Sequence, residues 1–183
     1  MPDLLLSRNS ARIESNRFIS AQVPMTRLLL RGANDAMSLA SKALRFSLPR
    51  QPCTSSVDGD RAALWLGPQE QLLLAPETLA TEMDALLRDA LLGTPHSLVD
   101  IGHRQTALWV GGTEVESLLN AGCPLNLHPD SFRVGACSRT VFGKAEIVLW
   151  RRHRELFHVE VWRSFAAYVT QLLSEASRDL HRC

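Results

Sequence analysis

The sequence predicts an α+β fold made of two similar βαββα units, in which helices cover antiparallel strands. A strand that ends at a glycine opens each half of the chain, at Gly32 and at Gly112. An amphipathic helix closes each half, and apolar side chains recur with the same spacing from Leu79 and from Phe165. Because neither unit alone offers a comfortable core, the two units can share one larger sheet, packed as a pseudo-repeat.

The first unit is predicted over residues 25–95, where apolar runs alternate with turn residues. Prolines and glycines separate these runs, as expected at the ends of strands and helices. The predicted elements are strand 25–32, a helix capped by Asn34 or Asp35, a loop over 53–60, strands 61–67 and 71–75, and a helix that begins at Pro76.

The second unit is predicted over residues 96–183 and repeats the same order of elements. Thr113 precedes Glu116 by three positions, which is the spacing of a capping box at the start of a helix. The apolar stripe of the last helix includes Phe165. The predicted elements are a connecting strand 98–101, strand 105–111, a helix capped by Thr113, strand-like runs 139–150 and 156–162, and a helix capped by Ser164.

Residues 1–24 are polar and lack an apolar period, so we expect an extended N-terminal arm. No segment approaches the ~20 apolar residues of a membrane span, and the leucine run near the start is too short for a signal peptide. The formal net charge of +1 does not indicate binding to nucleic acid or to a membrane. We therefore expect a cytoplasmic protein whose four cysteines are free thiols.

Two cysteines and a histidine raise the question of a metal or a reactive thiol. Cys123, His128 and Cys137 have the spacing C-x4-H-x8-C, and His103 lies upstream. A structural zinc site uses four ligands and usually a close cysteine pair, which this spacing lacks. A nucleophilic cysteine would need a base and an orienting carboxylate, for which His103 and Asp100 are the candidates. No local signature supports either site, so we favour packing roles for both cysteines.

A cluster of cationic residues lies in the second unit, opposed there by two glutamates. Its members are Arg133, Arg139, Lys144, Arg151, Arg152 and Arg154. Such a cluster can face phosphates, a protein surface or only solvent, and no RNA-binding motif accompanies it. We favour a protein interface, with Arg104 and Trp150 as further candidate contacts. Upstream, Asp100 and Arg104 either form a polar cluster near a ligand or stabilise a turn as an ion pair.

Four blocks of the sequence carry a resemblance to a known family: RAALWLGPQEQLLLAP, LVDIGHRQTALWVGG, NAGCPLNLHPDSFRVGACSRTVFGKAEIVLWR and VEVWRSFAAYVTQLLSEA. The most specific feature is C-P-L-N-L-H-P, followed by a strand with the pattern T-x-x-G-K-A-x-x-x-L-W. Across residues 26–178 the chain resembles the gamma subunits of heterotetrameric sarcosine oxidases.

That family is in turn similar to the folate-binding domains of the glycine-cleavage T-protein, an aminomethyltransferase, which implies the same double-repeat fold. In those relatives an aspartate pair follows a glycine and serves the folate reaction. Here the matching strand has Ala145 and Glu146 after Gly143 and Lys144. Glu146 is the remaining weak candidate for binding folate, and its extra methylene group argues against one-carbon chemistry in this chain.

The resemblance implies a non-catalytic structural subunit without a catalytic, cofactor or metal site of its own. The complex would oxidatively demethylate sarcosine to glycine with O2, giving hydrogen peroxide and formaldehyde or methylene-tetrahydrofolate. The implied partners are the alpha, beta and delta subunits, with FAD, FMN, NAD and tetrahydrofolate on alpha and beta and zinc on delta. The alternatives are a stand-alone folate-binding module or aminomethyltransferase-like protein, and an RNA-contacting protein that uses the basic cluster.

Overall fold

The computed structural model of the protein describes residues 17–180, with side chains from residue 19 onward. Short 3₁₀ helices at Glu77–Leu79 and Arg163–Phe165 precede the second and fourth α-helices. In chain order the strands and α-helices are β1 (Arg17–Ala21), β2 (Met25–Gly32), α1 (Asn34–Leu44), β3 (Ser55–Asp58), β4 (Arg61–Gly67), β5 (Glu70–Pro76), α2 (Ala80–Ala90), β6 (His96–Asp100), β7 (Gln105–Gly112), α3 (Val115–Asn120), β8 (Cys137–Phe142), β9 (Ala145–His153), β10 (Leu156–Trp162) and α4 (Ala166–Leu180).

Within the described residues, the strands form two five-stranded antiparallel sheets, one in each compact unit, where one larger sheet shared by both units was expected. The first unit spans Pro24–His103 and has the strand order β3-β4-β5-β2-β6. The second unit contains β1 and the residues from Arg104 onward, and its strand order is β8-β9-β10-β7-β1. The two orders place equivalent strands at equivalent positions, so the predicted α+β repeat is confirmed.

Each copy of the repeat contains four strands, one more than the predicted βαββα unit has. In the first unit, β3 lies inside the predicted loop 53–60. In the second unit, the predicted run 139–150 is a hairpin of β8 and β9 joined at Gly143 and Lys144. Gly143 has φ +58°, in the left-handed region that glycine adopts without steric cost, and this residue allows the tight turn. The repeat is therefore βαβββα.

The fifth strand of each sheet comes from outside this repeat. β6 pairs with β2, although residues 96–100 were predicted to belong to the second unit. β1 pairs with β7, where an extended arm was expected, and residues 1–16 of that arm lie outside the described residues. The predictions for β6 and β1 both differ from the structure for the same reason. A short strand such as β6, in which only Leu98 is buried, carries no pattern that identifies its pairing partner.

Helices α1 and α2 cover one face of the first sheet. The apolar stripe that the sequence predicts for α1 is Met37, Ala40, Ala43 and Leu44, and all of these except the half-buried Ala43 are buried. α2 buries Met83 and Leu87, but Leu86 of its predicted stripe is exposed. Burying one such side chain contributes about 1.5–3 kcal/mol. The strand residues in the same core are Leu28, Leu30, Ala63, Leu73, Ala75 and Leu98.

Helices α3 and α4 cover the corresponding face of the second sheet. α4 buries Val169 and Leu173, but the predicted stripe residue Phe165 remains 38% exposed. The core contains strand residues from all four strands that belong to the repeat: Leu108, Val110, Phe142, Ala145, Ile147, Leu149, Phe157, Val159 and Val161.

The predicted side-chain caps do not form at α1 and α3. Ala33 is the N-cap of α1 and Glu114 is the N-cap of α3, and neither caps its helix through a side-chain hydrogen bond. Glu116, which was expected to complete a capping box, instead accepts a hydrogen bond from Arg151. Tertiary pairing with a buried cation outweighs a local cap, because the buried charge would otherwise be costly. Within residues 17–180, no helix combines the length and the apolar content that crossing a bilayer requires.

Candidate functional site

The most enclosed charged side chain of the basic cluster is Arg151, which is 0% exposed in β9. One terminal nitrogen, Nη1, donates to the carbonyls of Leu127 and Phe132 at 3.3 and 2.7 Å. The other, Nη2, donates to the carbonyl of Arg154 at 3.0 Å and to the carboxylate of Glu116. Arg151 therefore fastens α3, the loop before β8 and the β9–β10 turn to one point.

The guanidinium suits this position because it presents several donors in a fixed plane. Its carbon also lies 4.8 Å from the centre of the Phe157 ring, a cation–π distance. The backbone adds to the attachment, since the Arg151 amide donates to Ala136 and its carbonyl accepts from Gly135, both at 2.9 Å. Because these contacts bury Arg151 inside the fold, we no longer consider it a candidate interface residue.

The loop at 122–136, which holds the C-P-L-N-L-H-P block, is shaped by its own polar side chains. The Asn126 amide group accepts from the backbone of His128 and donates to Ser131, both at 3.0 Å. The His128 carbonyl accepts from the amides of Ser131 and Phe132 at 2.9 Å. Leu127 and Phe132 are buried in the core of the second unit. The block thus builds a packed connection between α3 and β8.

The candidate metal ligands lie in different environments, two of them buried and one exposed. Cys123 is buried, with its sulfur 3.9 Å from the Thr140 hydroxyl, and Cys137 is also buried. His128 is exposed and lies 3.5 Å from the Asp130 carboxylate. Among the residues that the structure describes, no group of three or more histidine, cysteine or acidic side chains is arranged to hold a metal ion. Within the described part of the chain, Cys123, His128 and Cys137 therefore do not come together as zinc ligands.

The Asp-x-x-His-Arg segment forms a turn. The Asp100 carboxylate accepts a hydrogen bond from the backbone amide of Gly102 at 2.7 Å, and His103 is exposed. The guanidinium of Arg104 lies 5.2 Å from the centre of the Trp162 ring. Asp100 thus stabilises the turn through a backbone amide, the kind of local bond expected of aspartate.

The other candidate interface residues differ in exposure. Arg133 and Arg139 are exposed, and Arg152 is half-buried with its guanidinium 4.5 Å from the centre of the Trp150 ring. Trp150 is 2% exposed, so it is a core residue in this structure and leaves the set of interface candidates. Glu146, the weak folate candidate, is exposed, with its carboxylate 3.9 Å from Arg139 Nε. An exposed carboxylate facing an arginine lacks the enclosure that positions a pterin.

A buried polar pair that the sequence pattern did not reveal lies on β10. His158 Nε2 and a carboxylate oxygen of Glu160 are 2.7 Å apart, and both side chains are fully enclosed. The rings of Trp109 and Trp150 approach the imidazole edge-on, with centroid distances of 5.2 and 5.6 Å. Polar residues that alternate with apolar ones along a strand normally face solvent, so no local sequence signal identifies this pair as buried. An imidazole–carboxylate pair can move a proton, but its enclosure keeps a substrate away.

A family model described as "Sarcosine oxidase, gamma subunit family" matches residues 31–179. A sarcosine oxidase subunit gamma from Arthrobacter sp. is 34% identical over 141 residues, which cover 75% of this chain and 67% of the relative. The family match includes α3, the loop before β8 and the hairpin described above.

Solved structures agree with these sequence matches. The heterotetrameric sarcosine oxidase from Corynebacterium sp. U-96, in complex with pyrrole 2-carboxylate, contains a chain with a TM-score of 0.84 and 25% identity, and the match covers 89% of this chain and 84% of that one. The glycine cleavage system aminomethyltransferase T from Bartonella henselae gives a TM-score of 0.67 at 14% identity, covering 90% of this chain and 47% of that one. The second likeness concerns the fold alone and agrees with the predicted similarity to aminomethyltransferases.

Proposed function

The chain belongs to the sarcosine oxidase gamma subunit family, and from this premise we propose that it is a non-catalytic structural subunit of a heterotetrameric sarcosine oxidase. The observation that carries the proposal is the family match over residues 31–179, together with the structural likeness to a chain of such a complex. In this role the chain provides contact surface for the assembly, and other subunits catalyse the reaction.

The placement of the reactive side chains supports a structural role. The candidate nucleophile Cys123 is in the core, while the candidate base His103 is exposed. The Asp100 carboxylate, which would have to orient that base, accepts from a backbone amide. Nucleophilic catalysis requires these three groups within hydrogen-bond reach of one another. With its thiol in the core of the second unit, Cys123 is not accessible to a substrate, which supports a structural role for this cysteine.

The proposed reaction of the complex is sarcosine + O2 + H2O → glycine + formaldehyde + H2O2, with tetrahydrofolate able to take up the formaldehyde as methylene-tetrahydrofolate. We assign FAD, FMN, NAD and tetrahydrofolate to the alpha and beta subunits and zinc to the delta subunit. The support within this chain concerns zinc and folate, for which the sequence offered candidate ligands. Of the zinc candidates, Cys123 and Cys137 are buried, whereas the imidazoles of His103 and His128 are exposed. The folate candidate Glu146 faces Arg139 at the surface.

Co-expression tests this proposal directly. The alpha, beta and delta subunits are expressed with and without this chain, and the purified material is compared for mass and for sarcosine-dependent oxygen consumption. We expect a one-to-one heterotetramer only when this chain is present, and lower yield or activity without it. Full assembly and full activity of the other three subunits on their own would refute the structural role.

A folate-binding module is the second candidate, because the fold is shared with a solved aminomethyltransferase. Calorimetric titration of the purified chain with tetrahydrofolate separates the two candidates. The structural-subunit proposal predicts no binding heat at millimolar ligand, and a saturable heat that disappears in Glu146→Gln would favour the folate module. The exposed position of Glu146 beside Arg139 supports the first outcome.

A further inference from the structure

Three aromatic side chains of the second unit are exposed in a row. Trp162 ends β10, Phe165 ends the following 3₁₀ helix, and Tyr168 lies in the first turn of α4, with 38%, 38% and 39% of their surfaces exposed. Among side chains from residue 19 onward, these are the aromatic ones that the fold leaves exposed. Residues three apart share one side of a 3₁₀ helix and are neighbours on an α-helix, so the three rings follow one side of the chain. We call them the aromatic strip.

Packing at both ends holds the aromatic strip in place. At one end, the Arg104 guanidinium lies 5.2 Å from the centre of the Trp162 ring, and the Arg104 carbonyl accepts from the amide of Arg163 at 2.9 Å. At the other end, the Tyr168 hydroxyl accepts a hydrogen bond from the backbone amide of Lys144 at 3.2 Å. A surface whose aromatic side chains are already ordered loses little conformational entropy when a partner covers it.

Three cationic residues contact the aromatic strip or lie within it. Arg104 and Lys144 lie at its two ends and are exposed, and Arg163 lies within it. Residues 161–174 contain no aspartate or glutamate. The neighbouring carboxylates are engaged elsewhere, since Glu160 is buried against His158 and Glu146 faces Arg139. An acidic partner segment would therefore meet complementary charge at both ends of the strip.

We propose that the aromatic strip is the docking surface for an acidic segment of another subunit of the complex, with apolar side chains of that segment covering Trp162 and Phe165. The inference rests on the proposed function, because it takes the occupant from the same assembly. Trp, Tyr and Arg are the residue types that dominate the binding energy of protein interfaces, and here they lie next to one another. The apolar contact provides affinity, and the flanking cations select the acidic partner.

The test uses the co-expressed complex and measures the dissociation of this chain by mass photometry after serial dilution. Phe165→Ala and Trp162→Ala are expected to weaken retention of the chain by about tenfold or more. Leu92→Ala is the matched apolar control, because Leu92 is 83% exposed in the first unit, and it should leave retention unchanged. Melting curves of each complex show whether a variant has lost its fold.

Charge reversal tests the identity of the occupant without removing an aromatic ring. Arg104→Glu and Lys144→Glu should each weaken retention severalfold, most strongly at about 50 mM salt, because exposed charges are screened at about 500 mM. Lys42→Glu, on an exposed position of α1, is the matched control and should have no such effect. The Lys144 contact to Tyr168 uses the backbone amide, so the substitution leaves that hydrogen bond in place.

The outcomes separate the two proposals. If the wild-type chain does not co-purify with the other subunits, the proposed function fails. If it co-purifies but the Trp162 and Phe165 variants behave like the Leu92 control, the docking surface is elsewhere. If the aromatic variants weaken retention while the charge reversals and salt have no effect, the occupant is not acidic. If the isolated wild-type chain dimerises and Phe165→Ala abolishes the dimer, the occupant is a second copy.

Discussion

The carboxylate of Glu116 at the start of α3 accepts a hydrogen bond from the buried guanidinium of Arg151 in β9. This pair joins a helix to the strand behind it and also holds the loop between them, since Arg151 donates to the carbonyls of Leu127 and Phe132. The loop contains the C-P-L-N-L-H-P block, and it lies within the part of the chain that the family model matches. Arg151 therefore adds a tertiary anchor to a loop whose own polar side chains also hold its shape.

Removing the Arg151 side chain should destabilise the second unit strongly. Arg151→Ala leaves the Glu116 carboxylate and three backbone carbonyls without their donor and opens a cavity beside Phe157, so we expect a loss of about 3–5 kcal/mol in the free energy of unfolding. Urea denaturation measures the change. Arg133→Ala is the control, because Arg133 belongs to the same basic cluster but is exposed, and it should cost less than about 0.5 kcal/mol. Equal effects of the two substitutions would contradict the assigned role.

Trp150 and Trp162 should respond in opposite ways to truncation. Trp150 is 2% exposed and packs against His158, so Trp150→Ala should cost about 3–5 kcal/mol of stability. Trp162 is 38% exposed, and Trp162→Ala should cost less stability but weaken assembly. Thermal melting and dilution of the complex measure the two effects separately. An unchanged melting temperature for Trp150→Ala would show that this ring is not in the core.

Cys123 should be dispensable for oxidase activity. Cys123→Ser nearly keeps the size of the side chain, and the Thr140 hydroxyl lies 3.9 Å from the sulfur. We expect sarcosine-dependent oxygen uptake of the assembled complex to stay within about twofold of wild type, with a modest loss of stability of about 1–3 kcal/mol from the buried hydroxyl. Cys53→Ser, at an exposed cysteine, is the control. Loss of turnover in a folded, assembled Cys123→Ser complex would restore the nucleophile hypothesis.

The turn between β8 and β9 should require glycine for two reasons. Gly143 has φ +58°, and a Cβ atom there would collide with the Tyr168 hydroxyl and lie 2.8 Å from the Leu172 side chain. Gly143→Ala should cost about 2–4 kcal/mol, the sum of backbone strain and steric overlap. Gly59 is a matched control, since its φ is +56° and no heavy atom lies within 4 Å of the position that a Cβ atom would take there.

Gly59→Ala should therefore show only the backbone contribution of about 1 kcal/mol. Denaturation curves of the two variants give the steric contribution by difference. If Gly143→Ala and Gly59→Ala lower the free energy of unfolding by the same amount, Tyr168 does not pack against the β8–β9 turn.

Local patterns predicted the elements whose side chains have a periodic environment. The apolar stripe of α1 identified Met37, Ala40 and Leu44, and the stripe of α4 identified Val169 and Leu173, because a helix that covers a sheet must bury one side. The glycine ends of β2 and β7 identified the repeat. The same reasoning placed Phe165 in the core, since a stripe does not reveal where the sheet beneath a helix ends.

The candidate site was less accessible to sequence reasoning. A run of arginines looks alike whether it faces solvent or the interior, and only the fold distinguished the buried Arg151 from the exposed Arg133 and Arg139. The alternation of His158 and Glu160 along β10 is typical of a solvent-facing strand side, yet both are enclosed. Burial of a polar side chain depends on partners that are distant in the chain, and no local pattern contains them.

The sequence by itself determined the α+β repeat, the family and the apolar stripes of the helices, because these depend on residue spacing and on blocks of neighbouring residues. Only the tertiary structure decided which sheet each edge strand joins, that Glu116 serves Arg151 instead of capping α3, and that Trp162, Phe165 and Tyr168 remain exposed together. The physical reason is that pairing and burial are properties of surfaces brought together by folding, and their free energies depend on contacts between residues far apart in the chain.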